Sequence, residues 1–256
     1  VAQPVQGSIM QAAALYLDLM KKILTNSIYE DPNAGPWQAP AYARPLRENG
    51  QDWPLVAHTM IGLKRLDNLQ YCIERALADR VPGDLIETGV WRGGAVIFMR
   101  ATLKAHGVTD RRVLVADSFK GLPEPDPAQF PEDAGDSHHR HPYLAVSLEQ
   151  VRANFERYGL LDEQVVFLKG WFRDTLPRVP ADRLAVLRLD GDMYESTWDA
   201  LRHLYPKLSV GGYVIVDDYK VVPGCRAAVE AFRRQQGIVD PIQDIDWAGV
   251  YWRRGA

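Results

Sequence analysis

The stretch Asp84-Leu85-Ile86-Glu87-Thr88-Gly89-Val90-Trp91-Arg92-Gly93-Gly94 joins a short apolar run to a turn that contains three glycines. Beyond it, short β-type runs alternate with stretches whose apolar residues recur at helical spacing. Strands that alternate with helices form βαβ units, which close right-handed and build a largely parallel sheet. The sequence therefore predicts an α/β fold of Rossmann-like type, whose ligands bind outside the carboxyl ends of the strands.

Two further helices are predicted before this stretch, over 9–28 and 58–79, with a loop rich in Pro, Gly and Asn over 29–54. We expect residues 1–80 to be a helical extension or cap of a single domain whose catalytic α/β core covers 81–256. Segment 123–142, called the flap below, has five prolines and three histidines and is predicted to be a mobile loop. The other predicted elements are strands over 84–88, 112–116, 165–168, 185–189, 213–216 and 250–252, and helices over 96–106, 148–158, 197–208 and 227–236.

Composition excludes several classes of protein. A formal net charge of -3 over 256 residues argues against nucleic acid as a partner. No apolar run approaches the length of a membrane span, and the first residues lack the basic-then-apolar pattern of a secretory signal. The two cysteines, Cys72 and Cys225, have no motif spacing and are interpreted as free buried thiols. We therefore expect a cytoplasmic protein that does not bind membranes.

The glycine-rich turn after the first predicted strand indicates which cofactor binds there. Its spacing is G-x-x-x-G-G after Glu87, whereas a dinucleotide site uses G-x-G-x-x-G to seat a pyrophosphate on a helix N-terminus. A carboxylate at Glu87 repels a pyrophosphate but is able to receive an ammonium group. The turn therefore favours the methionine moiety of S-adenosylmethionine over NAD, although a structural glutamate in a glycine turn remains an alternative.

The ends of the second and third predicted strands suit an adenosine. Asp117, followed by Ser118, is placed to accept hydrogen bonds from a ribose diol, and its alternative role is that of a helix N-cap. Gly170, Trp171 and Phe172 supply an aromatic plane for an adenine, although Trp171 could equally belong to the core.

Four carboxylates follow the fourth and fifth predicted strands: Asp190, Asp192, Asp217 and Asp218. Adjacent strand ends bring them to one edge of the sheet, where four negative charges repel unless some are protonated or a cation binds. Oxygen ligands favour Mg²⁺ or Ca²⁺ over zinc. The alternative is a set of solvated turn aspartates.

The chain resembles the macrocin O-methyltransferase (TylF-type) family, whose members methylate sugar hydroxyls of glycosylated antibiotics. The resemblance implies a Rossmann-like class I methyltransferase fold, S-adenosylmethionine, Mg²⁺ and a homo-oligomer. The 119–147 loop is shorter and differently composed than in macrolide-specific members, so the acceptor stays open. The segments that carry the resemblance are His58-Thr59-Met60-Ile61-Gly62, Glu87-Thr88-Gly89-Val90-Trp91-Arg92-Gly93-Gly94, Ala116-Asp117-Ser118-Phe119, Arg157-Tyr158-Gly159-Leu160, Gly170-Trp171-Phe172, Asp190-Gly191-Asp192, Asp217-Asp218-Tyr219 and Gly249-Val250-Tyr251-Trp252-Arg253-Arg254.

By this resemblance, Asp190, Asp217 and Asp218 are the expected metal ligands and Asp192 is the general base, with the roles of Asp190 and Asp192 exchangeable. The flap residue His139 or a neighbour is a reserve base. The expected cofactor-binding residues are Glu87, Thr88, Gly89, Trp91, Arg92, Gly93, Asp117, Ser118, Gly170, Trp171, Phe172 and Asp190.

The expected function is S-adenosylmethionine-dependent, Mg²⁺-assisted methylation of a sugar hydroxyl on a glycosylated natural product, as a step of antibiotic tailoring. Methylation of a catechol or another phenol would keep every site residue and change only the pocket. A nicotinamide oxidoreductase would need a tighter glycine pattern, and a non-catalytic binding module has no use for four strand-end aspartates.

Overall fold

The computed structural model describes residues 6–36 and 39–255, with side chains described from residue 11 onwards. Its sheet has seven strands in the order β3-β2-β1-β4-β5-β7-β6. The first five strands are parallel, and β7 pairs antiparallel with both β5 and β6. The strands are β1 (Asp84–Thr88), β2 (Val113–Asp117), β3 (Val165–Lys169), β4 (Leu184–Leu189), β5 (Leu208–Val216), β6 (Gln243–Asp244) and β7 (Val250–Arg253).

Helices cover both faces of this sheet, as expected for parallel strands that read as continuous apolar runs. One face carries α1, α3, α4 and α5, and the other carries α7 and α8. The helices are α1 (Gln6–Leu24), α2 (Arg44–Glu48), α3 (Gly62–Ala78), α4 (Gly94–Ala105), α5 (Leu148–Arg157), α6 (Phe172–Thr175), α7 (Tyr194–Leu204) and α8 (Pro223–Gln236).

The predicted fold class is confirmed, and the predicted elements differ from the observed ones mainly at their ends. Helix α1 ends at Leu24, four residues before the predicted end, because the chain turns there and Asn26 adopts a φ of 48°. The predicted loop over 29–54 contains the short helix α2, whose first turn includes Pro45. The two-residue strand β6 was missed because it is too short to show alternation.

The N-terminal helices share one hydrophobic core with the sheet. Leu17 of α1 and Leu66 of α3 are fully buried in the same cluster as Leu85 of β1 and Val96 of α4. The division into an extension over 1–80 and a core over 81–256 stays a prediction. Among the residues that the structure describes, no helix has the length and apolar character needed to cross a membrane.

Candidate active site

A cavity of about 400 Å³ opens at the carboxyl ends of the central strands, next to the point between β1 and β4 where the strand order reverses. Open α/β sheets bind their ligands at this position. The turns after β1 to β5 form its floor. Residues 50–53 and 58–61 of the N-terminal extension form one side of the cavity. The other sides are residues 121–123 at the start of the flap, the flap residue His138, and residues 247–248 before β7.

The turn after β1 requires glycine at position 89. Gly89 has a φ of +85°, and a Cβ atom there would lie 1.7 Å from the carbonyl oxygen of Asp190. Only a residue without a side chain permits this approach of the turns after β1 and β4. Gly89 itself lines the cavity.

Glu87 lies on the cavity wall and is almost completely buried. Its Oε1 atom accepts a hydrogen bond from Nη1 of Arg188, whereas Oε2 has no hydrogen-bond partner. Burial raises the pKa of Glu87 to about 8, against the attraction of Arg188. A buried carboxylate oxygen without a partner is costly, so this atom suits a ligand that brings a hydrogen-bond donor.

Asp117, the last residue of β2, fixes the turn after β1 and the turn after β2. Its Oδ2 accepts the backbone N–H of Val90 at 2.7 Å, and its Oδ1 accepts that of Phe119 at 2.6 Å. The residues directly after Asp117 do not form a helix, so its predicted alternative role as a helix N-cap is wrong. Burial raises its pKa and these backbone hydrogen bonds oppose the rise.

Aromatic and polar residues after β3 complete this side of the cavity. Trp171 precedes α6 directly and lines the cavity with Phe172 and Arg173. Trp171 is partly exposed, which favours a contact surface for a ligand over a place in the core. Arg173 donates to Glu195 of α7 at 2.9 Å.

The carboxylates of Asp190, Asp217 and Asp218 converge at the ends of β4 and β5. Each offers one oxygen such that the three oxygens lie within 4.8 Å of one another. Burial and the neighbouring carboxylates of Asp192 and Asp190 raise the pKa of Asp218 well above its ordinary value. The Oδ2 atom of Asp218 is buried without a hydrogen-bond partner. Three converging carboxylate oxygens match the ligand set of a hard divalent cation.

Arg188 is the counter-ion within this cluster. It is fully buried in β4, and its guanidinium pairs with Glu87, Asp190 and Asp217, with 2.7 Å to Asp190. The other oxygen of Asp217 accepts from Arg65 of α3. Two guanidiniums leave the five carboxylates of this region in excess, and burial together with this repulsion raises the pKa of Glu87, Asp190, Asp192 and Asp218. The five carboxylates are those of Glu87, Asp190, Asp192, Asp217 and Asp218.

Asp192 has a strained backbone at the cavity wall. Its φ is 55°, a conformation that few non-glycine residues adopt and that aspartate tolerates better than most. Burial raises its pKa to about 7, and the charge of Asp190 adds to the rise. Trp91 and Phe119, in the turns after β1 and β2, also have positive φ, so the turns after β1, β2 and β4 each hold a non-glycine residue in the left-handed region.

Stacked aromatic rings join the N-terminal extension to the glycine-rich turn at the side of the cavity. The rings of Trp53 and Tyr143 are parallel with centroids 5.0 Å apart, and Trp91 packs against Tyr143 at 5.3 Å. Arg92 covers the Trp91 ring at 4.2 Å and donates to the carbonyl of Ala57 at 2.9 Å. Arg92 thus ties the glycine-rich turn to the extension.

The structure brings most of the predicted site residues together at this cavity. Within the part of the chain that it describes, the lining includes Glu87, Gly89, Trp91, Asp117, Ser118, Trp171, Phe172, Asp190, Asp192, Asp217 and Asp218. It does not include Thr88, Arg92, Gly93, Gly170 and His139.

The residues outside the lining have other environments. Thr88 is buried in β1, and Gly93 is the left-handed residue that precedes α4. His139 lies in a 3₁₀ turn with its Nδ1 buried and unpartnered, whereas the preceding residue, His138, reaches the cavity.

Sequence reasoning missed Arg65 and Arg188, and it included His138 only as a neighbour of His139. Arg188 gave a signal, because a charged residue inside the apolar run of β4 requires buried partners. Arg65 gave a weaker one, since it lies four residues before Leu69 and so on the apolar side of α3. His138 gave none that separates it from His139.

Comparisons with known proteins agree with this geometry. The macrocin-O-methyltransferase (TylF) family model matches residues 34–254. The chain is 62% identical over 251 residues to the 8-demethyl-8-(2,3-dimethoxy-alpha-L-rhamnosyl)-tetracenomycin-C 4'-O-methyltransferase of Streptomyces olivaceus, covering 96% of this chain and 94% of that relative. It is 55% identical over 247 residues to the mycinamicin III 3''-O-methyltransferase of Micromonospora griseorubida, covering 94% of this chain and 97% of that relative.

A solved structure, that of the O-methyltransferase NovP, superposes with a TM-score of 0.88 at 55% identity and covers 95% of this chain and all of that one. The activity named for this family, transfer of a methyl group to a hydroxyl, implies S-adenosylmethionine as the methyl donor. With a matching family model, two curated relatives and a cavity built from the expected strand ends, the chain belongs to the macrocin-O-methyltransferase family and is an O-methyltransferase.

Proposed function

We propose that this chain methylates a sugar hydroxyl of a glycosylated natural product, with S-adenosylmethionine as the donor and Mg²⁺ bound beside it. One observation carries the proposal: the converging oxygens of Asp190, Asp217 and Asp218 face the same cavity as the cofactor candidates Glu87 and Asp117. A hydroxyl is therefore held and activated next to a methyl donor.

The cofactor candidates divide by chemistry along the cavity floor. The unpartnered Oε2 atom of Glu87 would hold the ammonium group of the methionine moiety, and Gly89 lines the same cavity. Asp117, whose oxygens already hold two backbone N–H groups, accepts the ribose hydroxyls on its remaining lone pairs. Trp171 provides the plane for the adenine.

Asp190, Asp217 and Asp218 would hold the Mg²⁺ ion. The unpartnered Oδ2 of Asp218 and the excess of carboxylates over guanidiniums support this assignment. When bound, Mg²⁺ supplies positive charge that stabilises the developing alkoxide. Arg188 and Arg65 orient Asp217 from two sides and keep its oxygens fixed.

Asp192 takes the proton of the acceptor hydroxyl. Its raised pKa, about 7, is close to the working range of a general base, and its strained turn holds the carboxylate at the cavity. S-adenosylmethionine, when bound, would supply the methyl group to the hydroxyl oxygen and would leave as a neutral thioether. Every protein group in this step either positions a reactant or carries the proton.

The charge of the cavity favours a glycoside over a nucleotide sugar as the acceptor. In the described structure the two guanidiniums of its wall, Arg65 and Arg173, are already paired with Asp217 and Glu195, so neither is available to bind a diphosphate. The side around Val221, Val222 and Trp247 is apolar and suits an aglycone. The carboxylates of the wall are those of Asp52, Glu87, Asp117, Asp190, Asp192, Glu195, Asp199, Asp217 and Asp218.

The test is a methyl-transfer assay on three acceptors, read by mass spectrometry: the rhamnosyl-tetracenomycin named for the relative of 62% identity, a nucleoside-diphosphate rhamnose and a catechol. We expect product from the glycoside alone, lost with EDTA and restored by Mg²⁺. Product from the catechol would support the phenolic alternative, and turnover of the nucleotide sugar would contradict the charge argument.

A homo-oligomer and a cytoplasmic location complete the proposal. Leu15, Leu19 and Ile23 repeat every four residues on α1 and are exposed, which supports a helix face covered by a second copy. Cys72 and Cys225 are buried free thiols, as in proteins of reducing compartments. Light scattering of the purified protein measures the oligomeric state, and a monomer would contradict the proposed homo-oligomer.

A further inference from the structure

The flap contains an aspartate–histidine pair that the reaction described above does not use. The ring Nδ1 of His138 lies 2.7 Å from Oδ2 of Asp136, and the backbone N–H of His138 donates to Oδ1 of the same carboxylate at 2.9 Å. Two contacts to one carboxylate fix both the backbone and the ring of the histidine. With Nδ1 engaged by Asp136, Nε2 is the ring nitrogen left for chemistry.

The structure anchors this pair next to the turn that holds Asp192. Asp133, three residues before Asp136, accepts the backbone N–H of Tyr194 at 2.6 Å and that of Glu195 at 3.0 Å. These donors follow Asp192 by two and three residues, at the start of α7. The flap is therefore joined to the segment that positions the proposed base, and His138 and Asp192 line the same cavity.

The two groups also affect each other electrostatically. The hydrogen bond that His138 donates to Asp136 raises the pKa of His138, and the charge of Asp192 raises it further. The His138 side chain is about one-third exposed, at 34%, whereas Asp136 is 10% exposed. His138 thus lines the cavity that holds Asp192 and is also accessible to water, as a group that passes a proton outward must be.

We propose that His138, oriented by Asp136, is a second proton carrier of the methyl-transfer reaction, which accepts the proton from Asp192 and releases it to solvent. The proposal rests on the proposed function. In each turnover the acceptor O–H bond breaks, an O–CH₃ bond forms and the S–CH₃ bond breaks to leave a neutral thioether. The released proton moves to the Asp192 carboxylate, then to Nε2 of His138 as an imidazolium paired with Asp136, and then to water, which regenerates Asp192.

The test compares His138→Gln with Arg140→Gln, an exposed neighbour in the same turn, using the full chain with Mg²⁺ and a glycoside acceptor. We expect His138→Gln to lower kcat by about 10- to 100-fold with acceptor KM and S-adenosylhomocysteine affinity unchanged, and added imidazole to restore part of kcat. Arg140→Gln is expected to match the unmodified chain. An unchanged kcat, a loss without imidazole rescue, or a loss in His139→Gln instead would overturn the proposal.

A second measurement does not depend on turnover, so it separates failure of this inference from failure of the proposed function. Imidazole NMR signals of the Mg²⁺- and S-adenosylhomocysteine-loaded protein report the titration of His138. We expect Asp192→Asn and Asp136→Asn each to lower the His138 pKa. A His138 titration that ignores Asp192→Asn would overturn the relay even if the chain methylates the glycoside.

Discussion

Arg65 on α3 is ion-paired with Asp217 at the end of β5, across 152 residues of sequence. The same guanidinium donates to Asp246 at 3.0 Å and to the carbonyl of Gly50 at 3.0 Å. One buried side chain thereby joins the N-terminal extension, a proposed metal ligand and the loop before β7. The extension is consequently part of the active site and not only a cover over it.

Removal of the Arg65 charge is expected to destabilise the fold. Arg65→Met leaves the buried Asp246 without its ion pair and Asp217 with Arg188 alone, so we expect the free energy of unfolding to fall by about 3–5 kcal/mol. Arg75→Met on the same helix is the control, because its pair with Asp79 is half exposed and worth about 1 kcal/mol or less. Urea unfolding measures both, and equal losses would contradict the assignment.

Asp192→Asn is expected to abolish most methyl transfer while the fold and the cofactor affinity persist. Asparagine tolerates the left-handed backbone of this position but cannot accept the proton, so kcat should fall by about 10²–10⁴-fold. Calorimetric titration with S-adenosylhomocysteine checks that binding is retained, and Asp174→Asn on the exposed side of α6 is the matched control. Undiminished turnover would remove Asp192 from the mechanism.

Asp217 and Asp218 are adjacent, yet their substitution should have opposite effects on the metal-free protein. Asp217→Asn disrupts pairs with two buried arginines and lowers stability. Asp218→Asn removes a charge whose Oδ2 has no partner, so we expect stability at pH 8 to rise by about 1 kcal/mol or more. Thermal unfolding without metal separates the two.

In the presence of Mg²⁺ the same two variants should behave alike. Each removes a proposed ligand, so both are expected to lose Mg²⁺ affinity and activity. Calorimetry with Mg²⁺ alone measures this. Unchanged Mg²⁺ affinity in Asp218→Asn would show that the converging carboxylates do not bind the ion.

Gly89→Ala tests how closely the turns after β1 and β4 approach. The new Cβ would lie 1.7 Å from a backbone oxygen, so we expect the variant to unfold or to lose S-adenosylhomocysteine binding. Gly107→Ala is the control: its φ of +66° imposes a similar strain of about 1–2 kcal/mol, but nothing lies within 4 Å. Similar behaviour of the two variants would mean that strain alone, and not the close approach, fixes glycine at position 89.

The sequence predicts the floor of the site better than its sides. Asp190, Asp217 and Asp218 converge because parallel strands end at one edge of a sheet, which the alternation of predicted strands and helices already implies. The Arg65–Asp217 pair depends on how α3 docks on the sheet, which no local pattern specifies. The choice of His138 over His139 depends on the register of a 3₁₀ turn that Asp133 and Asp136 fix through tertiary hydrogen bonds.

Raised carboxyl pKa values make the metal-free protein less stable as the pH rises. Burial raises the pKa of Asp192 to about 7 and that of Glu87 to about 8. Both carboxyls therefore bind protons more tightly in the folded protein than in the unfolded chain. The stabilisation that proton binding by these two carboxyls gives the folded protein is complete below about pH 4, the pKa of the carboxyls in the unfolded chain. It is lost as the pH rises through 7 and 8. Between these limits each group lowers the free energy of unfolding by about 1.4 kcal/mol per pH unit.

Urea unfolding of the metal-free protein at pH 6 and pH 8 measures this dependence, with Asp192→Asn as the reference. The variant lacks one of the two groups, so its stability should fall less steeply with pH than that of the unmodified chain. Saturating Mg²⁺ should flatten the profile of the unmodified chain, because a bound cation stabilises the ionised carboxylates. Parallel profiles for the two proteins would mean that Asp192 is already ionised at pH 6, and the excess of carboxylates would then need a counter-charge other than protons.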